Sequence, residues 1–153
     1  MTSTRSAADL TVGDVLSGPA RLMSRERMRW YCDALETTAL GTGEFVIAEP
    51  TIHSDDDFAI ANGLPGIIAD GMISTNWISG MLLEQFGVGY VGGGELQTKF
   101  IRPIYEDEVI ETRGEVRVVE GGERPVYVID VWCETADGQK CTVGQARIPV
   151  PAG

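Results

Sequence analysis

The sequence predicts an α+β fold in which a long antiparallel sheet wraps around one long central helix. Two observations lead to this fold. Residues 71–86 form the most apolar segment of the chain and have the length of a helix. From residue 95 onwards apolar and polar residues alternate, as in strands with one buried face. A curled sheet around a buried helix satisfies both patterns.

Length and composition predict a single domain over residues 1–153. The chain has 153 residues, and domains usually contain about 100–200. Its apolar share of 43% is enough for a core without disulfides. The three cysteines are odd in number and lack metal-ligand spacing, so we expect no disulfide framework, no metal site and no cofactor.

The charge balance excludes some classes of partner. Twelve basic and 23 acidic residues give a net charge of −11, which would repel nucleic acids and anionic membranes. No apolar run approaches the roughly 18 residues of a membrane span, and the first ten residues lack a signal-peptide core. We therefore expect a cytoplasmic protein. The excess of arginine over lysine is typical of a GC-rich bacterial genome.

The first half of the chain predicts one strand and two helices. Residues 10–17 predict the strand, and Ser24 is expected to begin the first helix because apolar residues follow it at helical spacing. Ser54 with Asp57 three residues later matches a capping box, which predicts a short second helix over 55–62. Gly63 suits the end of that helix.

The central helix over residues 71–86 is apolar on nearly all sides, which predicts that it is buried. The glycine run after it matches G-x-G-x-x-G at 87–92. A dinucleotide site needs a strand before that motif and a helix after it, and here the order is reversed. We therefore expect a glycine loop without a cofactor.

Four strands are predicted in the second half, and they make an antiparallel meander. Turns at Gly121–Gly122 and Asp137–Gly138 separate several of them. Together with the buried helix they predict the hotdog architecture. The four alternating segments are 95–102, 108–119, 126–134 and 140–150.

Four short motifs, in order and spacing, resemble the MaoC-like (R)-specific enoyl hydratase and dehydratase family. Ile52–Asp55 keeps the family's histidine and the acid after it, and Phe58–Ala59 keeps its helix signature. Ile68–Met72 stands where the family has I-A-H-G-M, and Lys99–Pro103 resembles its K-F-x-R-P strand. The resemblance implies a hotdog fold and a lyase that hydrates or dehydrates an acyl thioester of coenzyme A or a carrier protein.

The sequence departs from this family at its acid/base pair. The family's aspartate lies five residues before the histidine, where this chain has Ala48, and the second histidine is replaced by Asp70. Glu44 and Glu49 lie close to the vacated position and are candidate substitutes, although surface positions suit them as well. We therefore expect altered acid/base chemistry.

The resemblance gives the candidate catalytic residues as His53 and Asp70. His53 is the only histidine, and histidine changes its charge near neutral pH, so we expect it to move a proton. Its alternative is a structural side chain next to a helix cap. Asp70 is either a catalytic carboxylate or the N-cap of the central helix; bound to helix amides, it would be a poor acid.

Substrate-binding roles are expected around the start of the same helix. Gly71 and Met72 are the candidate oxyanion site, because helix amides attract anions there; close packing is the alternative for the glycine. Asn76 either faces the pocket or makes a structural hydrogen bond. Lys99 and Arg102 either contact the phosphates of a coenzyme A or carrier arm or balance charge on an exposed strand.

Three functions compete. The leading hypothesis is a MaoC-like hydro-lyase acting on an acyl thioester. A hotdog thioesterase is the second, since Asp70 suits the activation of water, and a non-catalytic acyl-binding subunit is the third, since Ala48 has replaced the aspartate. We also expect a homodimer or a higher homo-oligomer, because a hotdog sheet leaves its edges exposed.

Overall fold

The fold is one antiparallel sheet packed on a long helix. The structure, a computed structural model, describes residues 6–34 and 50–150. The sheet contains β1 (Val15–Ser17), β2 (Arg21–Leu22), β3 (Glu95–Phe100), β4 (Val109–Glu120), β5 (Val126–Thr135) and β6 (Lys140–Pro149). The helices are α1 (Arg25–Ala34), α2 (Asp56–Ala61), α3 (Gly71–Phe86) and α4 (Val88–Gly93). No helix in the described ranges is long and apolar enough to cross a membrane.

The long strands follow the alternation in the sequence. Strands β4, β5 and β6 pair as two hairpins, and inward residues of β4 such as Ile110 and Val116 are fully buried. The predicted turn at Asp137–Gly138 is confirmed, with Gly138 at φ 83° in the left-handed region that suits glycine. The meander prediction is wrong for β3, which pairs with the last strand, so that the order is β1-β4-β5-β6-β3.

The first strand is shorter than predicted. Within the predicted segment 10–17, the paired strand is limited to Val15–Ser17, which pair with β4. The residues before them form a turn, because the Thr11 N–H donates to the Asp14 carboxylate at 2.7 Å. The side-chain bond competes with strand pairing in this segment.

Helix α3 packs against β1 and against β3 to β6, as the sequence predicts for the central helix. Its inward residues include Ile73, Ile78 and Leu82, which are buried. The expectation of burial on all sides is wrong, because one stripe of the helix is exposed. The stripe consists of Met72, Asn76, Gly80 and Leu83, residues three or four positions apart that share one face.

The glycine run forms a short helix instead of the predicted loop. The Val91 N–H bonds to the Gly87 carbonyl, and the Gly94 N–H to the Tyr90 carbonyl at 2.7 Å. The Tyr90 hydroxyl lies 2.9 Å from the Ser79 hydroxyl and ties this helix to α3. Helix α4 follows the last turn of α3 and does not contribute to the cavity described below.

Two helix starts test the capping predictions. Ser24 caps α1, since its hydroxyl accepts from the Arg27 N–H at 3.2 Å. The Ser54 cap is wrong: Asp55 caps α2 and accepts from the Phe58 N–H at 2.7 Å. The Ser54 hydroxyl instead accepts from the Thr51 N–H, which shifts the start of the helix by one residue. Gly63 follows the helix end with φ 84°, as predicted.

Gly144 on β6 is a position where the sheet tolerates no side chain. A Cβ there would lie 2.1 Å from the Gln97 backbone oxygen on β3. We expect Gly144→Ala to lower the free energy of unfolding by about 1–3 kcal/mol, because backbone must move. Gly121→Ala, in the open turn after β4, is the control and should change it by less than about 0.5 kcal/mol. Equal denaturation midpoints for the two variants would contradict the packing in this part of the sheet.

Candidate active site

A cavity of about 490 Å³ lies at the beginning of α3. The residues before α3 form one wall, and the loop after β3 forms the other. Most of the lining is apolar, while His53, Asp70 and Arg102 bring the ionisable groups. The lining residues are His53, Ile68, Ala69, Asp70, Gly71, Phe100, Ile101, Arg102, Pro103, Ile104 and Thr142.

The extended residues Ile68 and Ala69 hold the two walls together. The Ile68 N–H donates to the Ile52 carbonyl at 3.0 Å, beside His53 in the chain. The Ala69 N–H donates to the Ile104 carbonyl at 2.9 Å, in the loop after β3. Both neighbouring segments are thereby fixed against the start of α3.

His53 is held in one tautomer by the Ile68 carbonyl. Its Nδ1 lies 3.0 Å from the Ile68 carbonyl oxygen. Because a carbonyl oxygen only accepts hydrogen bonds, Nδ1 carries the proton and Nε2 of the neutral ring keeps a lone pair. The half-buried residue lines the cavity, and in this tautomer its Nε2 can accept a proton. The sequence prediction places the residue at the site; its chemical role remains a prediction.

Asp70 is the N-cap of α3. Its Oδ1 accepts from the Met72 N–H at 2.8 Å. The capping alternative is therefore what the structure shows, and a catalytic role remains a prediction. The bond also occupies one of the two amides expected to bind an oxyanion. The Gly71 N–H is left as the first-turn donor without an acceptor among the described residues.

Gly71 is a glycine because an aromatic ring covers it. A Cβ at Gly71 would lie 2.7 Å from three ring atoms of Phe100. This contact is the close packing that the sequence left as an alternative to the oxyanion role. The Phe100 ring also lines the cavity and is about half exposed, so a substrate bound at the Gly71 amide would touch it.

Asn76 and Lys99 lie outside the cavity lining. Asn76 belongs to the exposed stripe of α3 and lies close to Tyr31 of α1. Burial raises the pKa of the Tyr31 phenol, and the nearby charge of Asp70 raises it further. Lys99 is exposed on β3. Tyr31 was missed from the sequence because its helical spacing identified it only as a member of an apolar face.

Arg102 lines the cavity, but its charge is already paired. One Nη lies 2.6 Å from the Glu108 carboxylate, and the other donates to the Pro103 carbonyl at 2.9 Å. Burial alone would raise the pKa of Glu108, but Arg102 and the Tyr105 N–H together hold it below its usual value. The pair braces the loop after β3, which leaves less of the guanidinium for a phosphate.

A second group of ion pairs connects the two walls of the cavity. Arg25 on α1 lies 2.7 Å from both Asp56 of α2 and Glu106 of the loop after β3. Asp56 also accepts from the Ile67 N–H at 3.0 Å. The partners lie 31 and 81 residues from Arg25, and no local sequence signal relates them.

The remaining candidates fall elsewhere. Ala48, Glu44 and Glu49 lie outside the described residues. Within residues 6–34 and 50–150, no group of three or more His, Cys, Asp or Glu side chains has the geometry of a metal site.

Comparisons with known proteins identify a matching family and several structures of similar fold. A family model for MaoC-like domains matches residues 50–133. No curated protein sequence matches the chain. An unliganded R-hydratase from Pseudomonas aeruginosa superposes with a TM-score of 0.71 at 18% identity, covering 97% of this chain and 86% of that one. An (R)-hydratase from A. caviae gives 0.70 at 18% identity, covering 94% and 98%.

A third similar structure is a complex. The HadBC 3R-hydroxyacyl-ACP dehydratase from Mycobacterium tuberculosis gives a TM-score of 0.65 at 16% identity, covering 90% of this chain and 96% of that one. At these identities the likeness shows the fold, which is the hotdog architecture that the sequence predicts.

The Asp70 cap generates a stability prediction. Asp70→Ala should lower the free energy of unfolding by about 0.5–2 kcal/mol, because the Met72 N–H loses its acceptor. Asp70→Asn should change it far less, since asparagine caps helices about as well as aspartate. Thermal or denaturant unfolding of both variants measures the difference. If the alanine variant is as stable as the asparagine variant, the capping bond does not stabilise α3.

Proposed function

Because the chain belongs to the MaoC-like dehydratase family, we propose that it is a hydro-lyase acting on an acyl thioester. The reaction adds water across the double bond of an enoyl thioester, or removes it from a 3-hydroxyacyl thioester. The acyl group is carried by coenzyme A or by a carrier protein. The observation that carries this proposal is His53, held by the Ile68 carbonyl with Nε2 available at a largely apolar cavity.

His53 is the proton-transfer group of the proposed reaction. In the direction of hydration, Nε2 accepts a proton from water as the oxygen bonds to the β carbon, and the resulting imidazolium gives that proton to the α carbon, which returns the ring to its neutral form. In the reverse direction, Nε2 removes the α proton, and the imidazolium then gives this proton to the hydroxyl, which leaves the β carbon as water. The Nδ1 bond to Ile68 favours the tautomer that this cycle requires and stabilises the ring when it becomes charged.

The thioester oxygen is proposed to bind at the Gly71 N–H. This amide points from the positive end of α3, where developing negative charge is stabilised. Phe100 forms one side of that position and packs on the acyl group. The Asp70 carboxylate lies next to it, so the electrostatic stabilisation is weaker than at a helix end capped by a neutral residue.

A thioesterase is the second candidate, and Asp70 is the observation that favours it. A carboxylate that borders the cavity at a helix start is placed to activate water or to attack a carbonyl. One of its oxygens is occupied by the Met72 N–H, which leaves the other for chemistry. The third candidate, a non-catalytic acyl-binding subunit, rests on Ala48.

Three substrates separate the candidates. A hydro-lyase converts crotonyl-CoA to 3-hydroxybutyryl-CoA and catalyses the reverse reaction, without release of free thiol. A thioesterase releases free coenzyme A from saturated butyryl-CoA. A binding subunit turns over none of the three. Thiol release from butyryl-CoA, with no conversion of crotonyl-CoA, would overturn the proposed function.

The assembly is proposed to be a homodimer or a higher homo-oligomer in the cytoplasm. The free edge of β3 and the residues after it expose Phe100 and Ile101, each about half accessible. The stripe on α3 adds Met72 and Leu83, at 44% and 48% exposure. Apolar side chains on an edge strand and an adjacent helix face suit a symmetric contact with a second copy.

Light scattering or sedimentation tests this assembly. The wild-type protein should have at least twice the 16.5 kDa mass of one chain at micromolar concentration. Leu83→Asp should shift the mass towards a single chain, because a carboxylate in an apolar contact costs desolvation energy. Val12→Asp, at an exposed position in the turn before β1, is the control. A wild-type protein with the mass of one chain would contradict the prediction.

Replacement of His53 tests the chemistry. We expect His53→Ala and His53→Gln each to slow crotonyl-CoA hydration by roughly 10²–10⁴-fold, the usual contribution of a positioned acid/base group. Glutamine keeps a donor for the Ile68 carbonyl but transfers no proton, so it separates chemistry from positioning. Thermal midpoints should stay close to wild type. More than a tenth of the wild-type rate in the glutamine variant would remove His53 as the main acid/base group.

The reaction rate of the Asp70→Asn variant tests whether Asp70, the second candidate catalytic residue, takes part in the chemistry. Because the cap is kept, a large loss of rate with unchanged stability would assign chemistry to the carboxylate. An unchanged rate would leave Asp70 as a cap and direct attention to Glu44 or Glu49. The variant is compared in the same crotonyl-CoA assay as His53→Gln.

A further inference from the structure

Two arginines converge on one tryptophan on the side of α3 that faces α1 and β2. The guanidinium carbon of Arg21 lies 5.5 Å from the ring centroid of Trp77, and that of Arg27 lies 5.6 Å from it. Cations at this distance from an indole are attracted by its π face. Each of these three side chains is half-buried, and none of them lines the cavity of the proposed active site.

Neither arginine has a carboxylate partner among the described residues. Arg27 donates to the Leu22 carbonyl, which uses part of its guanidinium. The arginines that do form ion pairs with carboxylates are Arg25, Arg102, Arg113, Arg117 and Arg147.

Arg21 also carries a buried nitrogen without a hydrogen bond. Its Nη1 is inaccessible to solvent and has no acceptor among residues 6–34 and 50–150. A buried charged donor that lacks an acceptor costs more free energy than an ordinary unmade hydrogen bond. The strand explains how the charge comes to be inside: Leu22 of β2 faces outwards, whereas Arg21 turns inwards on to Trp77. A missing acceptor is therefore the outstanding feature of this cluster.

We propose that Arg21, Arg27 and Trp77 form a binding site for an oxyanion, namely a phosphate or carboxylate group. An oxyanion offers acceptors to the N–H groups of both guanidinium groups, and the Arg21 side chain must turn outwards to bring its buried Nη1 to such an acceptor. Guanidinium groups suit this task because their donors match pairs of oxyanion oxygens. The indole holds both guanidinium groups in place, which reduces the conformational entropy lost on binding.

A different function of Arg21 makes the opposite prediction. An inward-facing charge on an edge strand prevents a sheet from pairing with other chains. In that case the protein needs no ligand at this position, and the cluster should not respond to anions. The two explanations are therefore separated by binding.

The experiment is an NMR titration with inorganic phosphate and, separately, with succinate, at constant ionic strength set by sodium chloride. The chain has three tryptophans. We expect the indole N–H signal of Trp77 to shift with saturation. The signals of Trp30 and Trp132, which lie on α1 and on β5, serve as internal controls. The anion that binds more tightly identifies the ligand as a phosphate or as a carboxylate.

Variants connect the binding to the two arginines. Arg21→Gln and Arg27→Gln should each weaken the binding at least about tenfold, the usual effect of removing a charge-assisted hydrogen bond. Arg117→Gln removes an arginine that is already paired with Asp130 and Glu115, and should leave it unchanged. If Arg21→Gln does not fold, Arg27→Gln carries the test, since Arg27 lies at the surface of α1.

Stability supplies an independent readout. Without an added anion, Arg21→Met should unfold at the same temperature as wild type or higher, because it removes an unsatisfied buried charge. Phosphate or succinate should raise the midpoint of wild type and leave that of Arg21→Met unchanged. A Trp77 signal that responds to neither anion, or that responds equally in Arg21→Gln and Arg27→Gln, would overturn the proposal. None of these measurements requires turnover, so they stand apart from the proposed reaction.

Discussion

The hydrogen bonds of the two extended residues before α3 fix the geometry on which the site depends. Ile68 bonds to Ile52 through its N–H and to His53 through its carbonyl. Ala69 bonds to Ile104. Three chain segments that are distant in sequence thereby meet at the first turn of the central helix. A loop alone would not hold an imidazole in one tautomer, because loop backbones move more than paired extended chain.

The ion pairs around the cavity hold chain segments in position more than they stabilise the fold. Arg25 and Asp56 are 40% and 43% exposed, and exposed pairs typically contribute about 0–1 kcal/mol. Yet Arg25 joins α1, α2 and the loop after β3, and Arg102 with Glu108 shapes that loop from within. In this acidic chain, these two of the few cationic side chains hold together the segments that surround the cavity. The convergence of Arg21 and Arg27 on Trp77, without carboxylates, is distinct from this pattern.

The sequence predicts the regular elements well because each is encoded by neighbours in the chain. The period-two segments became β3 to β6 within a few residues, and the apolar run became α3. The cap of α2 was misplaced because both Ser54 and Asp55 are residue types that cap helices, and the bond from the Thr51 N–H to the Ser54 hydroxyl leaves Asp55 as the cap. The position of β3 beside β6 and the exposed stripe on α3 depend on long-range packing, which no local pattern contains.

The sequence predicted only those residues of the site that belong to its short motifs. His53 and the residues from Ile68 to Gly71 share one cavity, as their spacing suggested, together with Arg102. The partners that define their roles were not predictable: the Ile68 carbonyl selects the tautomer, Phe100 explains the glycine, and Glu108 engages Arg102. Each of these contacts joins residues that are separated by at least six positions.

Asp70 changes what the start of α3 offers to a substrate. A histidine at this position can be neutral or positive, and either state leaves the helix amides favourable to an anion. A carboxylate side chain bound to the Met72 N–H instead offsets the positive end of the helix. A thioester oxygen then depends chiefly on the single amide of Gly71, so charge accumulation on that oxygen is less favourable. In the proposed reaction, proton transfer by His53 is therefore expected to be closely coupled to the making or breaking of the carbon–oxygen bond, because coupling limits the charge that the oxygen must bear.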